Sequence, residues 1–323
     1  MSPLGQTSWA ENRWGLQQRL PKFRRAPESL NAKRITDRSI AIIETVGRYR
    51  FISTTDILRL VGGNEDVTHR HLQQLYHRDL ISRFMLPVRK SGGEFIYFLD
   101  NAAALRQLAA SSKIDPATLN WEQIRQDRGK YSASKNGHSV GQFLFVEHEL
   151  MISTFRTNLE LACRLHGRVQ IERWLQGAKT WNKVPNSSGP TLPHRPDSFF
   201  TLYFPNAVEG QQRSNFFYEA DRNTSSLTKI RQKLEAHLRF LLTGKYVESY
   251  QARRIRAVLV ETTTADRADQ MKHIASELAA KEPLANMLFW FTDLEKRESE
   301  KPHSTFAPIW QCAGDERARS LLD

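Results

Sequence analysis

The feature that most limits the fold is a series of short helical patterns between Ile35 and Asp100. In the first pattern, apolar residues recur at Ile40, Ile43 and Val46, and the pattern stops at Gly47. Apolar residues spaced three or four apart predict an amphipathic helix, and glycine commonly follows the end of one. The sequence therefore predicts a first helix that ends at this glycine.

Two further helical patterns follow within thirty residues of the first. Ser53 precedes a short apolar pattern that closes at Gly62 and Gly63, and Asn64 precedes a third pattern that includes Leu75. Serine and asparagine are favoured N-caps, and glycine is favoured just after a helix. Three short helices joined by tight turns predict a helix-turn-helix core.

Two β-rich runs, 81–86 and 94–99, come next and are separated by a basic, glycine-containing segment. A hairpin of this kind is the wing of a winged helix, and the segment resembles winged-helix domains over its whole length. We therefore expect residues 35–106 to bind double-stranded DNA. The candidates for the major groove are Thr68, His69, Arg70, Gln73 and Gln74, and those on the wing are Arg89 and Lys90.

The overall charge agrees with a polyanionic partner. The formal net charge is +12 and the isoelectric point is about 9.8, which favours nucleic acid first and an anionic membrane surface second. Residues 1–34 are rich in lysine and arginine, so we expect a basic, flexible arm. No apolar run approaches the roughly 20 residues that span a bilayer, and the N-terminus lacks the apolar core of a signal peptide. We expect a cytoplasmic protein with no membrane contact.

The remainder of the chain predicts a second domain. After an expected linker at 107–138, a long helix runs from about Ser139 to His166. The subsequent pattern predicts strands at 169–176, 197–204, 214–221, 256–263 and 286–292 and helices at 225–243 and 266–281. We expect an α+β chain in which residues 139–295 form an α/β domain with a mixed central sheet, followed by a C-terminal tail at 296–323.

Acidic residues occur where two of these strands meet. Asp197 begins one strand, and Glu219 and Asp221 lie in the next. Because side chains alternate along a strand, Glu219 and Asp221 point to the same face, and a hairpin would place Asp197 beside them. Three convergent carboxylates predict a site for a hard cation such as Mg²⁺. The alternative, that they are solvated charges at strand ends, stays open.

The order of elements, with Pro196-Asp197 and then the acidic pair, resembles the PD-(D/E)xK nuclease superfamily over about 139–263. The resemblance implies a restriction-endonuclease-like fold and cleavage of a phosphodiester with Mg²⁺ or Mn²⁺. It implies catalytic roles for Asp197, Glu219 and Asp221, with the three acids as metal ligands. Asp221 stands where the motif has lysine; Lys229 or Lys233 on the next helix is the candidate replacement, and we assign the role to Lys233.

The whole arrangement, from the winged helix to the phrase YEADRNTSSLTKIRQKLEAHL, resembles the replication-relaxation family of plasmids and mobile elements. The family resemblance implies DNA nicking or cleavage in replication or mobilisation. It leaves open other replication or mobilisation proteins as partners, a homodimer, and a second function class, a non-catalytic regulator with a degenerate nuclease fold.

Two further residues on the long helix, His148 and Glu149, have alternative interpretations. Glu149 is a candidate to reach the metal from this helix. The favoured interpretation is that both side chains cap or pair within the helix.

Overall fold

The structure, a computed structural model, describes residue 25 and residues 35–85, 93–111, 113–131, 140–186, 189–297 and 301–323. Of the expected basic arm at 1–34, only Arg25 is among these residues. Its guanidinium pairs with Asp79 at 2.7 Å and lies over the ring of Tyr76.

Three helices and a small sheet form the N-terminal part. The helices are α1 (Asp37–Arg48), α2 (Thr54–Val61) and α3 (Glu65–His77). Each begins where a side chain accepts a hydrogen bond from a backbone N–H, and these caps are Thr36, Ser53 and Asn64. The strands are β1 (Ile52–Ser53), β2 (Ser82–Met85) and β3 (Phe95–Phe98). They form an antiparallel sheet in the order β1-β3-β2.

The stretch expected to be a linker instead belongs largely to this part of the chain. It begins within α4 (Ala102–Ala110), continues through a 3₁₀ turn at Pro116–Thr118, and includes α5 (Trp121–Asp127). Ile114, Leu119 and Ile124 are buried in the same core as the residues of α1 and α3. The sequence is polar overall, but these three apolar side chains are enough to fix it against the helices.

The C-terminal part is built on a seven-stranded mixed sheet. Its strands are β4 (Gln170–Gln176), β7 (Ser198–Tyr203), β8 (Arg213–Asp221), β9 (Ala257–Thr262), β10 (Phe289–Asp293), β11 (Trp310–Cys312) and β12 (Asp315–Arg319). They lie in the order β12-β11-β10-β9-β8-β7-β4. Strands β8, β9 and β10 are parallel to one another, and the other neighbours pair antiparallel.

Helices cover both faces of this sheet. The long helix α6 (Val140–His166) packs on one face, where Phe155 and Leu159 meet Tyr218. On the other face, α7 (Leu227–Leu242) and α9 (Ala265–Ala279) pack against a core that includes Phe217. Two short helices, α8 (Tyr246–Tyr250) and α10 (Ala285–Leu288), complete the set. Helices on both faces explain why β7, β8 and β9 are buried over almost their whole length.

Besides the short helices α8 and α10, two β-structures of the C-terminal part were not predicted. A two-stranded hairpin of β5 (Asn182–Asn186) and β6 (Gly189–His194) lies between β4 and β7. The residues expected to be a tail, 296–323, instead supply β11 and β12 at one edge of the sheet, with Trp310 fully buried. Both strands are too short for a clear period-two pattern, so their pairing depends on the neighbouring strands.

The two parts of the chain are in direct contact along α6. The hydroxyl of Ser153 donates to the backbone carbonyl of Phe51 at 2.6 Å. A second contact joins the Thr154 hydroxyl to the carboxylate of Asp56 at 3.2 Å. These buried contacts orient the helical N-terminal part relative to the sheet.

Candidate active site

Two of the predicted acids meet at the ends of β7 and β8. The last paired residues of these antiparallel strands are Ser198 and Tyr218, so Asp197 and Glu219 stand opposite each other one position further on. The backbone N–H of Ala220 donates to the Asp197 carboxylate at 2.8 Å. Local strand geometry therefore holds both carboxylates at one point of the sheet.

The predicted lysine reaches the same point from α7. The Lys233 ammonium lies 3.4 Å from each carboxylate oxygen of Asp197 and also contacts Glu219. Helix α7 begins after Ser226, whose hydroxyl caps it, and the flanking Ile230 and Leu234 are buried in the core. Docking of this helix thus brings together Asp197, Glu219 and Lys233.

Burial and charge oppose each other in this cluster. Burial lowers the pKa of Lys233, but the charges of Asp197 and Glu219 outweigh it, so the pKa is raised overall. Burial raises the pKa of Asp197, yet the Lys233 charge and a hydrogen bond from His148 outweigh it, so that pKa is lowered. The pKa of Glu219 is raised, mainly by burial, although Lys233 opposes this. The ammonium and the Asp197 carboxylate are therefore both charged over the physiological range.

A pair of buried histidines lies behind Glu219. His237 of α7 contacts the Glu219 carboxylate through Nε2, and its Nδ1 is 2.9 Å from Nε2 of His194 at the end of β6. Burial is the largest cause of both low values, a pKa of about 3 for His237 and of about 2 for His194. Both rings are neutral at physiological pH.

The direction of the hydrogen bonds in this pair follows from one unpaired atom. Nδ1 of His194 is buried and has no hydrogen-bond partner among the described residues. A buried N–H without an acceptor costs about 1–3 kcal/mol, so the His194 proton belongs on Nε2, which donates to His237. The His237 proton is then on Nε2 and donates to Glu219. This chain of donors favours the carboxylate form of Glu219, against the effect of burial.

His148 of α6 is a site residue that the sequence interpretation missed. Its Nε2 lies 3.2 Å from the Asp197 carboxylate, and this contact raises the pKa of His148 even though burial alone would lower it. The signal was present in the helical spacing. His148 lies four residues before Ile152 and seven before Phe155, and both are buried against the sheet, so it belongs to the stripe that faces inward.

Asp221 does not join the other two acids. One of its carboxylate oxygens accepts from the Arg267 guanidinium and from the Thr262 hydroxyl, both at 3.0 Å, and from the backbone of Asn223 at 3.2 Å. Over the described ranges, no group of three or more histidine, cysteine, aspartate or glutamate side chains has a metal-binding arrangement. The prediction that three carboxylates converge is therefore wrong: two of them do, because an arginine from α9 pairs with the third.

Glu149 also turns away from the cluster. Its carboxylate accepts from the Gln176 amide at 3.0 Å and lies 3.8 Å from the Arg50 guanidinium. Arg50 is held in turn by two hydrogen bonds to Asp127. Glu149 thus connects α6 with the N-terminal part, and its carboxylate is paired with Gln176 and Arg50.

A pocket of about 150 Å³ opens beside the cluster. Its walls include Glu219, Lys233, His148, Lys229 and Arg222. Asp221 also lines the pocket, so its walls carry four basic and two acidic side chains, and the N-terminal end of α7 borders the same space. Backbone N–H groups at a helix N-terminus favour anions, so the pocket has the electrostatic character of a phosphate site.

The predicted DNA-contacting residues of α3 differ in exposure. His69 and Arg70 are exposed, and Gln73 and Gln74 are half-buried. Thr68 is fully buried, and its hydroxyl accepts from the Arg38 guanidinium. Thr68 therefore belongs to the packing of α3 and not to its outer face. Arg89 and Lys90 lie outside the described residues.

Comparison with known proteins places the chain in a family. A family model described as replication-relaxation matches residues 43–253, more than half of the sequence. The chain belongs to the replication-relaxation family. The match begins within α1 and ends beyond α8, so it includes Asp197, Glu219 and Lys233 of this replication-relaxation protein.

A search of curated proteins found no match. Among solved structures, the restriction endonuclease FokI is similar at 10% identity and a TM-score of 0.26, with 82% of this chain and 44% of that chain covered. This TM-score is too low to indicate a shared fold, and the chain spans less than half of the FokI chain. Within the described residues, no helix has the length and apolarity needed to cross a bilayer.

Proposed function

We propose that this replication-relaxation protein binds duplex DNA through an N-terminal winged helix and nicks or cleaves DNA at the cluster of Asp197, Glu219 and Lys233. The process served is replication or mobilisation of a plasmid or other mobile element. The single observation that carries the proposal is the convergence of two strand-end carboxylates on one helix-borne lysine, next to a pocket of basic character.

The N-terminal arrangement supports the DNA-binding part of the proposal. Helices α1 to α3 followed by the hairpin of β2 and β3 have the order of a winged helix, in which the third helix enters the major groove. His69 and Arg70 on the exposed side of α3 are placed for such a contact.

The C-terminal arrangement supports the nuclease part. A helix, three strands of the main sheet, a helix and a further strand follow in the order α6, β4, β7, β8, α7 and β9. This is the order expected of a restriction-endonuclease-like domain, with the hairpin of β5 and β6 as an insertion. The acids lie at the ends of its second and third strands.

The donor set fits a divalent cation at Asp197 and Glu219. Mg²⁺ is usually held by one or two carboxylates and retains several waters. One Glu219 oxygen, Oε2, is buried and faces the Lys233 ammonium, and the neighbouring charge of Asp197 contributes to the raised pKa of Glu219, so a second cation would be favoured between the two carboxylates. These two residues would hold Mg²⁺ or Mn²⁺, which supplies polarisation of a phosphate oxygen and a lowered pKa for a bound water.

The side chains around this point have distinct roles in the proposed cleavage. Lys233 is placed to stabilise negative charge that develops on the phosphate. His148 orients Asp197, and His237 with His194 orients Glu219 through directed hydrogen bonds. Lys229 and Arg222 on the pocket wall would bind neighbouring phosphates. Asp221 has a structural role in this scheme, because its carboxylate is paired with Arg267.

Nicking of plasmid DNA tests the proposal. Wild-type protein with Mg²⁺ or Mn²⁺ should convert supercoiled plasmid to open circles. The substrates tested should include a plasmid that carries the origin of the protein's own element, and single-stranded DNA. Asp197→Asn should reduce the rate at least about 100-fold, since a charge essential in the transition state is lost. Asp269→Asn, which changes an exposed acid on α9, is the matched control.

Identical products from wild type and Asp197→Asn on every substrate, with DNA binding intact, would reject cleavage at this site. The second candidate, a non-catalytic regulator, would then hold. It is favoured by one observation, that Asp221 stands where the nuclease motif has lysine and pairs with Arg267 instead.

Gel-shift titration tests the winged helix separately. Arg70→Ala should weaken duplex binding about tenfold, as expected for one lost groove contact, and reduce the dependence of affinity on salt. Arg125→Ala removes an exposed arginine from α5 and should leave binding unchanged. Equal affinities for wild type and Arg70→Ala would remove α3 from the DNA interface.

A further inference from the structure

The hairpin of β5 and β6 presents an aromatic and basic surface that the proposed cleavage does not use. We define the hairpin surface as Trp181, Lys183 and Arg195. Trp181 is 55% exposed, whereas the other four tryptophans that the structure describes are half-buried or buried. Trp181 stands between the 3₁₀ turn at Gly177–Thr180 and β5, and its large ring is left in solvent there.

The charge of this surface identifies the class of partner. Residues 177–196 include Lys179, Lys183 and Arg195 and no aspartate or glutamate. The Arg195 guanidinium lies over the Trp181 ring, 4.8 Å from its centroid. All three cations are exposed, and an aromatic ring combined with exposed cations is an arrangement by which proteins bind unpaired nucleic acid, since bases stack on the ring and phosphates meet the cations.

The hairpin is held firmly enough to present this ring in one place. Val184 is buried in the core beneath the hairpin. At its base, the Thr180 hydroxyl donates to the Pro196 carbonyl at 2.7 Å, and the Tyr250 hydroxyl donates to the Thr180 carbonyl at 2.7 Å. A ring on a fixed support loses little conformational entropy when a base stacks on it.

The hairpin surface lies close to the acids along the chain. Arg195 precedes Asp197 by two residues, and two residues span at most about 7 Å. Asn182 and His194 are paired at the base of the hairpin. Trp181 and Arg195 are the next residues outward from this pair, and their side chains are in contact. A base stacked on Trp181 would therefore lie within a few nucleotides of a phosphate bound at Asp197.

We infer that the hairpin surface binds an unpaired DNA strand next to the cleavage site, with one base stacked on Trp181. An unpaired strand is required because the faces of paired bases are covered by their neighbours in a duplex. This inference deepens the proposed function and rests on it in one respect, that the bound strand continues from Trp181 toward a cleavage site at Asp197. It makes the substrate a locally opened duplex or a single strand.

Binding of a fluorescein-labelled oligo(dT) 15-mer, measured by anisotropy, tests the inference without cleavage. The full chain carrying Asp197→Asn is used as the parent so that no strand is cut. Adding Trp181→Ala should weaken binding about tenfold, the loss of one stacked base, whereas Trp181→Phe should restore most of it. Lys183→Ala should weaken binding less and reduce its salt dependence.

Two controls keep the result specific. Leu165→Ala removes an exposed apolar side chain at the end of α6 (69% exposed), and Lys281→Ala removes an exposed cation elsewhere; neither should change the affinity. For a blunt duplex of the same length, the affinity of the variant that also carries Trp181→Ala should lie within twofold of the affinity of the Asp197→Asn parent. Unchanged oligo(dT) affinity in Trp181→Ala, or equal losses on single strand and duplex, would overturn the inference.

Failure of this inference and failure of the proposed function are separable. If wild type nicks plasmid while Trp181→Ala binds oligo(dT) normally, only the hairpin surface is refuted. If no nicking occurs but oligo(dT) binding depends on Trp181, the surface stands and the cleavage proposal falls.

Discussion

Each face of the central sheet has buried carboxylates next to cationic side chains, but only on one face is the charged cluster accessible to solvent. On the α6 face, Glu261 and Arg297 are both fully buried. On the α7 face, the side chain of Lys233 is 36% exposed between Asp197 and Glu219. The same sheet thus carries a sealed ion pair and an open one, which we compare as the sealed pair and the open cluster.

The sealed pair is a one-to-one arrangement. The Arg297 guanidinium contacts both oxygens of Glu261, with one distance of 3.0 Å. The Tyr218 hydroxyl donates to Glu261 at 2.8 Å, and its ring stacks on Phe155 with centroids 4.0 Å apart. Such a pair favours the one packing arrangement in which both partners meet, because either partner alone would be a buried, uncompensated charge.

The open cluster has two carboxylates for one lysine and borders a pocket. Its charges are held by groups from four elements: His148 of α6, the ends of β7 and β8, and Lys233 of α7. Strongly perturbed pKa values beside a cleft mark candidate functional sites. Both groups bury charged side chains, so buried charge alone does not distinguish a structural ion pair from a candidate functional site. The open cluster differs in being accessible from a pocket and in having two carboxylates for one lysine.

The largest change in stability is expected when the sealed pair is broken. Arg297→Met should lower the free energy of unfolding by about 3–5 kcal/mol, because Glu261 would be left buried without its cation. Urea unfolding monitored by circular dichroism measures it. The double variant Glu261→Gln/Arg297→Met should recover much of the loss. A single variant as stable as wild type would show that the pair is not needed for packing.

A smaller loss is expected at Asp221, which distinguishes it from the other acids. Asp221→Asn should lower the free energy of unfolding by about 2–3 kcal/mol, because the buried Arg267 loses its charged acceptor. Nicking measured under conditions where the variant is folded should stay within about threefold of wild type. If nicking instead falls as far as in Asp197→Asn, Asp221 belongs to the open cluster.

The histidine behind the open cluster should make stability depend on pH. His194 has a pKa of about 2 when folded, against roughly 6.5 for an unfolded histidine. The stability gained from the neutral ring is therefore complete above pH 6.5 and is lost as the pH falls. This amounts to about 2 kcal/mol between pH 7 and pH 5.

Urea unfolding at the two pH values measures this loss, and His194→Gln should reduce it by that amount. The exposed His273 is the matched control (75% exposed), and His273→Gln should behave as wild type. An unchanged pH dependence in His194→Gln would contradict the neutral, buried ring.

The smallest stability effect is expected in the open cluster. Glu219→Gln should change the free energy of unfolding by less than about 1 kcal/mol, since the amide relieves the burial of a charge and still accepts from His237. Isothermal titration should nevertheless show Mn²⁺ binding in wild type and none in Glu219→Gln. Equal heats from the two proteins would remove Glu219 from the proposed metal site.

Local signals explain how closely the elements were predicted. Ser53 and Asn64 cap the second and third helices as predicted, because a cap needs only a side chain and the backbone three residues ahead. Strands β7 and β8 lie within a residue or two of their predicted ranges. The hairpin of β5 and β6 was missed because its prolines and glycine interrupt the period-two pattern.

The partners of the charged residues were much less predictable. Lys233 was expected near the acids because it lies on the helix that follows β8. His148 and His194 come from other elements, and Arg267 approaches Asp221 from α9. Such contacts join residues tens of positions apart, so no local spacing encodes them.

By itself, the sequence determined the order of most helices and strands, the cationic excess, and the face of the sheet to which Glu219 and Asp221 point. Alternation along a strand fixes that face, whatever lies above it. Only the tertiary structure decided that Glu219 meets Lys233 while Asp221 meets Arg267. Successive residues on one face of a strand stand about 7 Å apart, so each contacts whichever side chain the docked helices bring to its own position.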